Sequence, residues 1–125
     1  MKRIVSTEKA PKAIGPYSQA VSAGGFLFCS GQIPIDPKTG EVLQGDITEQ
    51  TQCVMNHLKA VLEAGDSSFN NVVKCTIFLA DMQDFKAVNE VYKTYFDEEP
   101  PAREAVAVKE LPRGVGVEIS CIALV

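Results

Sequence analysis

Apolar residues form short strand-like runs towards both ends of the chain and two stripes with helical spacing between them. Stripes that repeat every three or four residues predict a helix over residues 46–64 and a second helix that begins after Asp81 and ends before Pro100. The stripe residues are Val54, Leu58, Val61 and Leu62 in the first helix and Phe85, Val88, Tyr92 and Tyr95 in the second. Asp46 with Glu49 three residues later is a capping-box-like start, and Gly65 marks the end of the first helix. The remaining apolar runs predict strands at residues 4–5, 20–22, 26–30, 72–79, 103–108 and 115–125.

The order of these elements is strands, helix, strand, helix and strands, which predicts an α+β fold with both helices on one face of a sheet. No linker or repeat divides the chain, so residues 1–125 are expected to form one domain. An antiparallel sheet with one wet face should alternate apolar and polar residues, but the runs at residues 77–79 and 119–125 barely alternate. Because two helices cover only one face, we predict that the second face is buried against other copies in an obligate homo-oligomer.

The composition narrows the range of partners. The chain carries a net charge of -4 and has no run of lysine or arginine, which argues against nucleic-acid binding by phosphate neutralisation. No apolar segment is long enough to cross a bilayer, so we expect a cytoplasmic protein with no membrane partner, and a mitochondrial location stays open. The four cysteines have no metal-like spacing and are interpreted as reduced core residues: Cys29, Cys53, Cys75 and Cys121.

One cation and one carboxylate lie in apolar surroundings. Arg103 follows the stiff segment Pro100–Ala102 and begins an apolar run, and Glu118 lies inside another such run. A planar guanidinium binds a carboxylate or phosphate through paired hydrogen bonds, so Arg103 is a candidate anion clamp. A structural ion pair between Arg103 and Glu118 explains the same spacing equally well. Tyr17 on a turn and Ser30–Gly31 at a strand end add positions where a ligand fits, although a surface-packed tyrosine is an equal alternative for Tyr17.

The rest of the sequence offers little catalytic chemistry. The only histidine, His57, lies in the middle of the first helix, where a packed or surface histidine is expected rather than a general base. One histidine without clustered carboxylates argues against a metal site within one chain. No G-x-S-x-G, P-loop or G-x-G-x-x-G motif occurs, which disfavours triad hydrolysis, phosphoryl transfer and hydride transfer. These features suit a small, already reactive acid that needs orientation more than activation.

Six segments form a recognisable set: Gly15–Gln19, Ser30–Pro34, Val73–Lys74 with Leu79–Asp81, Val88–Tyr92, Pro101–Arg103 and Val117–Ile119. Taken together, in this order and spacing, they resemble the reactive intermediate deaminase (Rid, YjgF-like) family over essentially the whole chain. The resemblance implies a chorismate-mutase-like fold, with an antiparallel-rich mixed sheet and two helices on one face. It also implies a homotrimer in which the sheets pack together and ligand clefts lie between subunits.

The resemblance further implies a 2-iminobutanoate/2-iminopropanoate deaminase, a hydrolase that acts on C=N bonds without a metal or other cofactor. Its substrates are reactive 2-imino acids released by pyridoxal-phosphate enzymes that dehydrate serine and threonine, and its products are 2-keto acids and ammonia. By motif, Arg103 corresponds to the carboxylate-binding arginine and Glu118 to the water-positioning glutamate. The other positions that the resemblance places in the pocket are Tyr17, Ser30, Gly31, Asn89 and Ala105.

The chain departs from the family pattern directly after the arginine. Family members usually have a small residue there and then often a cysteine, whereas this chain has Glu104 and Ala105. Strand alternation predicts that Glu104 points away from the face that Arg103 uses. Two other functions stay open: a non-catalytic trimer that binds small carboxylates as a regulator or chaperone, and a translation-inhibiting ribonuclease. Glu118 argues against the first, because a carboxylate sensor gains nothing from a second anion beside its ligand, and the acidic composition argues against the second.

Overall fold

A computed structural model of the chain describes residues 1–96 and 98–125. Every predicted strand is present, and each begins and ends within two residues of its prediction. The strands and α-helices are, in chain order, β1 (Arg3–Val5), β2 (Ala20–Ala23), β3 (Phe26–Gln32), α1 (Ile47–Ala64), β4 (Val72–Leu79), α2 (Phe85–Tyr92), β5 (Ala102–Ala107) and β6 (Val117–Leu124).

The strands form one mixed sheet in the order β1-β2-β3-β6-β4-β5. All neighbouring strands run antiparallel except β4 and β5, which are parallel because α2 connects them as a crossover. This topology confirms the antiparallel-rich α+β fold, and it places β5 at an edge of the sheet. Within the described chain, Arg103 on β5 therefore has a paired strand on one side only.

The first helix forms where its capping signals and its apolar stripe agree. Asp46 Oδ1 accepts a hydrogen bond from Glu49 N at 2.9 Å and Glu49 Oε1 accepts one from Asp46 N at 3.2 Å, which confirms the predicted capping box. Gly65 follows the last turn, where a side chain would come within 2.8 Å of Leu27 Cδ1. The predicted stripe of α1 is fully buried: Val54, Leu58, Val61 and Leu62.

The second helix is shorter than its apolar stripe predicts. Asp81 accepts a hydrogen bond of 2.9 Å from the backbone N–H two residues later, but the turn it caps, Met82–Asp84, is a 3-10 helix. α2 then runs through Phe85–Tyr92, and a second 3-10 turn, Lys93–Tyr95, ends the helical segment. The residues of the predicted stripe that lie in the core or pack against it are Phe85, Val88, Tyr92 and Tyr95.

Both helices pack on the same face of the sheet and share one core with it. On β6, the buried Cys121 faces the helices, while Glu118 and Ser120 are half-buried on the opposite face. No helix or strand among residues 1–96 and 98–125 covers that opposite face, which we call the open face. Burial of this face against other copies stays a prediction. Its large exposed apolar side chains are Phe26, Phe28, Val106 and Leu124.

Three cysteines lie side by side in the core, with Cys29 opposite Cys121 and Cys121 opposite Cys75. These and Cys53 on α1 are free thiols, and Cys53 is half-buried rather than in the core as predicted. His57 is packed as predicted, buried on α1 with its Nε2 at 2.7 Å from a loop carbonyl oxygen. The described residues contain no cluster of three or more side chains suited to hold a metal ion. None of their helices has both the length and the apolar character needed to cross a bilayer.

Candidate active site

The Arg103 side chain lies on the helix-covered face of the sheet and contacts α2. The register of β5 on β4 places Arg103 opposite the buried Cys75, so both side chains point towards the helices. Arg103 Nη1 donates a hydrogen bond of 2.6 Å to Asn89 Oδ1. The guanidinium carbon lies 5.0 Å from the ring centroid of Tyr92 and 5.3 Å from that of Phe85. Because Arg103 is exposed, its guanidinium is in contact with α2 and is still accessible to solvent at the edge of the sheet.

A pocket of about 430 Å³ opens beside Arg103 and brings it together with Asn89. The other walls of the pocket are aromatic rings, prolines and one lysine. Concave, largely apolar pockets with a few convergent polar groups are the usual form of small-molecule sites. The residues that complete the lining are Tyr92, Lys93, Phe96, Pro100 and Pro101.

Glu118 lies on the open face, packed over a glycine. Its partner in register on β4 is Phe78, and its carboxyl group lies against Gly31 of β3. A methyl group at position 31 would come 2.8 Å from Glu118 Cδ, so glycine leaves the room that the carboxyl group occupies. Burial raises the pKa of Glu118, because desolvation disfavours the charged form. The structure thus places a partly desolvated carboxyl group beside the Gly31 backbone.

The loop that carries Tyr17 is tied to the end of β3. Ser30 Oγ donates a hydrogen bond of 2.6 Å to the Ser18 carbonyl oxygen, and Ser30 N donates one of 2.9 Å to that of Gln19. Gln19 is buried and fixes the loop through its amide, including a 2.6 Å hydrogen bond from Thr7 N to Gln19 Oε1. Tyr17 is exposed at the side of a groove of about 760 Å³ that the N-terminal segment forms. The Ser30 hydroxyl hydrogen is committed to the loop, so Ser30 offers a ligand its oxygen as an acceptor.

These residues form two clusters on opposite faces of the sheet. Arg103 is in register with Cys75 on the helix-covered face, whereas Glu118 is in register with Phe78 on the open face, three residues farther along β4. Two strand spacings and three residues correspond to roughly 14 Å between the Cα atoms of Arg103 and Glu118. A structural ion pair between Arg103 and Glu118 of one chain is therefore wrong. One small ligand cannot contact both side chains of the same chain.

The two positions after Arg103 also lie on opposite faces. Glu104 points to the open face, as strand alternation predicts, where its Oε2 accepts a 2.8 Å hydrogen bond from Thr76 Oγ1 and lies 3.2 Å from Lys74 Nζ. The hydrogen bonds from Thr76 and then Lys74 hold the pKa of Glu104 below its usual value. Ala105 packs its side chain against the core, which leaves its edge-strand backbone as the part that faces a ligand. Glu104 therefore lies on the opposite face of the sheet from Arg103 of the same chain.

Sequence reasoning missed three residues that shape these clusters: Phe85, Tyr92 and Gln19. Phe85 and Tyr92 belong to the apolar stripe of α2, which indicates a core face and nothing about a cation. Their spacing of four and three residues around Asn89 is the one signal that places all three on the same side of a helix. Gln19 lies in the family-like segment Gly15–Gln19, but nothing in the sequence predicted its burial, which depends on how the N-terminal segment folds over it.

Comparisons with known proteins agree with one another over nearly the whole chain. The family model described as Endoribonuclease L-PSP matches residues 7–125. A RutC family protein of Pyrococcus horikoshii is 58% identical over 123 residues, 98% of this chain and 98% of that protein. A mouse protein named 2-iminobutanoate/2-iminopropanoate deaminase is 48% identical over 124 residues, 99% of this chain and 92% of that protein. The crystal structure of E. coli TdcF with bound serine matches with a TM-score of 0.93 at 41% identity, covering 98% of both chains.

Proposed function

Because the chain belongs to the Endoribonuclease L-PSP family, which includes the YjgF, RutC and Rid proteins, we propose that it deaminates reactive 2-imino acids by hydrolysis. The substrates are imines of the 2-iminobutanoate and 2-iminopropanoate class, and the products are 2-keto acids and ammonia. The name of the mouse relative supports imine deamination as the activity.

The observation that carries this proposal is the Arg103 guanidinium, held in one orientation at a pocket. Asn89 accepts from one of the five N–H donors of the guanidinium, which leaves paired donors for a substrate carboxylate. A carboxylate fixed in this way also fixes the adjacent imine carbon, which supplies the orientation that a reactive substrate needs. TdcF binds serine, which has a carboxylate next to a carbon that bears nitrogen, and this supports the same arrangement here.

Glu118 is the proposed water-positioning base. In its ionised form it orients a water molecule towards the imine carbon and accepts a proton from it as the water oxygen attacks. Glu118 then returns this proton to the nitrogen of the carbinolamine, the C–N bond breaks, and ammonia leaves as the hydroxyl group loses its proton and becomes the carbonyl of the 2-keto acid. Since burial raises the pKa of Glu118, its carboxylate is a stronger base than that of an exposed glutamate.

The complete site is proposed to form between copies of the chain. Because Arg103 and Glu118 leave opposite faces, Arg103 of one copy can meet only the Glu118 of a neighbour around one small ligand. The open face, with exposed Phe26 and Phe28, offers an apolar surface on which such packing can occur. A homotrimer with sheets packed together and sites at its subunit interfaces is the assembly proposed.

Substitutions of Arg103 and Glu118 test the two roles. A dehydratase generates the imine from threonine in the assay, and semicarbazide traps the imine that the protein fails to hydrolyse. We expect Arg103→Ala to lower kcat/KM by about 100-fold or more, because paired charge-assisted hydrogen bonds are lost. We expect Glu118→Gln to lower kcat by about 100-fold or more, because the general base is lost.

Arg113→Ala and Glu110→Gln are matched controls, since both residues are exposed and lie outside the two clusters. Both control variants should keep wild-type rates. Unchanged turnover in Arg103→Ala would contradict the clamp. A folded wild-type protein that binds 2-oxobutanoate but leaves all imine to the trap would instead point to a carboxylate-binding role without catalysis.

A further inference from the structure

α2 presents three side chains to Arg103, and they are spaced four and three residues apart on one side of the helix: Phe85, Asn89 and Tyr92. We propose that these three residues form an arginine platform, which fixes the plane of the Arg103 guanidinium and thereby sets the affinity of the pocket for carboxylates. The proposal rests on the proposed function, in which Arg103 binds the substrate carboxylate, and assigns three positioning residues to it.

Arg103 needs such a platform because its own strand does not fix it. The side chain is long, exposed and carried by an edge strand, so it has many accessible rotamers. None of the salt bridges found among the described residues includes Arg103. Its hydrogen-bond partner is the neutral amide oxygen of Asn89, at 2.6 Å. A neutral partner orients the cation without cancelling its charge, so the full charge stays available to an anionic ligand.

The two rings of the platform restrain the guanidinium without competing for its donors. Both ring centroids lie within the 6 Å range of a cation–π contact, at 5.0 Å for Tyr92 and 5.3 Å for Phe85. A ring face attracts the flat side of the cation and accepts no strong hydrogen bond from its N–H edge. The rings thus leave the remaining N–H donors of Arg103 uncommitted where Arg103 lines the pocket, and the fork geometry of such donors matches a carboxylate.

The arrangement also changes the role expected for Asn89. The resemblance places Asn89 among the pocket residues that contact substrate, but its Oδ1 already accepts from Arg103. We therefore assign Asn89 to positioning, through Arg103. Simple core filling is the alternative for the two rings, and it explains the burial of Tyr92. It does not explain why the partly buried ring of Phe85 lies against a cation at the boundary of the core.

Phe85→Leu separates these two explanations, because leucine keeps an apolar side chain and removes the ring. The platform predicts that the KM for 2-iminobutanoate and the Kd for 2-oxobutanoate both rise about two- to fivefold, the worth of one cation–π contact at a partly exposed site. The value of kcat should change much less, since Glu118 is untouched. Phe85→Tyr restores a ring and should restore both constants. Asn89→Ala should also raise both constants.

Phe69→Leu is the matched control. Phe69 is another partly buried ring packed against the same core, but it contacts Tyr95 and Phe96 rather than Arg103. The control should lower the melting temperature and leave the 2-oxobutanoate Kd unchanged. NMR of the Arg103 side chain gives a readout that does not depend on activity. Ring faces shield nuclei stacked on them, so the guanidinium proton resonances should move downfield in Phe85→Leu and return in Phe85→Tyr.

The platform fails if folded Phe85→Leu binds 2-oxobutanoate with wild-type affinity and its Arg103 resonances do not move. Wild-type protein that binds 2-oxobutanoate, loses affinity in Phe85→Leu and yet hydrolyses no imine would leave the platform standing and overturn the proposed deaminase. Wild-type protein that binds no 2-oxobutanoate would overturn both.

Discussion

At the scale of single residues, the burial of Glu118 makes it a stronger base for the proposed catalysis but lowers the stability of the folded protein at neutral pH. Burial raises its pKa above the ordinary value of 4.5, so the charged form is disfavoured in the folded protein. A raised folded-state pKa contributes stability that is fully present below the unfolded-state pKa and is lost as pH rises through the folded-state value. We therefore expect Glu118→Gln to have a higher melting temperature than wild type at about pH 7, with the difference gone at about pH 4. Thermal unfolding at both pH values measures this.

Glu104→Gln should change the stability at neutral pH in the opposite direction from Glu118→Gln. Hydrogen bonds from Thr76 and Lys74 lower the pKa of Glu104, so its contribution is present above the unfolded-state pKa and is lost as pH falls through the folded-state value. At neutral pH its glutamine variant should be slightly less stable than wild type, because the group is exposed and the pair is screened. A Glu118→Gln variant that also melts earlier at neutral pH would contradict a desolvated Glu118.

The same residues mark how far sequence reasoning reaches. Arg103 and Glu118 were identified because a charge inside an apolar strand costs free energy of folding unless it is paired or hydrogen-bonded, so such a residue is a candidate for a site. Phe85 and Tyr92 were missed because a helical stripe indicates which side of α2 is buried, not what lies at the margin of that side. Their contact with Arg103 forms only after β5 has paired with β4, and that pairing is not local in sequence.

At the scale of elements, His57 fastens the loop between β3 and α1 to the helix. His57 Nε2 lies 2.7 Å from the Ile35 carbonyl oxygen, and since a carbonyl only accepts, Nε2 carries the hydrogen. Burial lowers the pKa of His57, against smaller opposing effects of Ile35 and Asp36. This lowered pKa contributes stability that is present above the unfolded-state value of 6.5 and is lost as pH falls through the folded-state value.

We therefore expect the wild-type free energy of unfolding to fall between about pH 7.5 and pH 5.5, and that of His57→Gln to fall less. Urea unfolding at the two pH values measures both slopes. Because His57 is the only histidine, the difference between the slopes belongs to this group. Parallel slopes would contradict a buried neutral imidazole.

The bounds of the strands and of α1 could be predicted from the sequence, whereas α2 is shorter than predicted and the register of the strands could not be predicted. Caps and glycines act on the residues next to them, which is why the start and end of α1 were predicted closely. The irregularity in the pairing of β3 with β6, between Cys29 and Gln32, depends on contacts between distant segments. That irregularity includes Gly31, where the backbone accommodates the Glu118 carboxyl group. The separation of Arg103 from Glu118 likewise follows from the strand order and the register of β5 and β6 on β4.

At the scale of the whole molecule, the weak alternation of the strands indicated that neither face of the sheet is built for water. The two helices bury one face of the sheet, which explains the apolar residues on that face. The other apolar residues lie on the open face, where Phe26 and Phe28 are 39% and 45% exposed in a single chain. An exposed apolar face of this kind is typical of an interaction surface. If copies of the chain pack on it, Arg103 of one copy and Glu118 of another can contribute to one site.

Refolding two inactive variants together tests directly whether the site is shared between copies of the chain. Arg103→Ala and Glu118→Gln are each expected to be inactive, and each chain keeps the residue that the other lacks. If every site takes Arg103 from one copy and Glu118 from a neighbour, refolding equal amounts together returns both residues to about one quarter of the sites, by random assortment in a closed ring. A site built within one chain would regain no activity, because each chain still lacks one of the two residues. Mixing Arg103→Ala with the double variant provides the inactive control, and a monomer by light scattering at low micromolar concentration would rule out the shared site altogether.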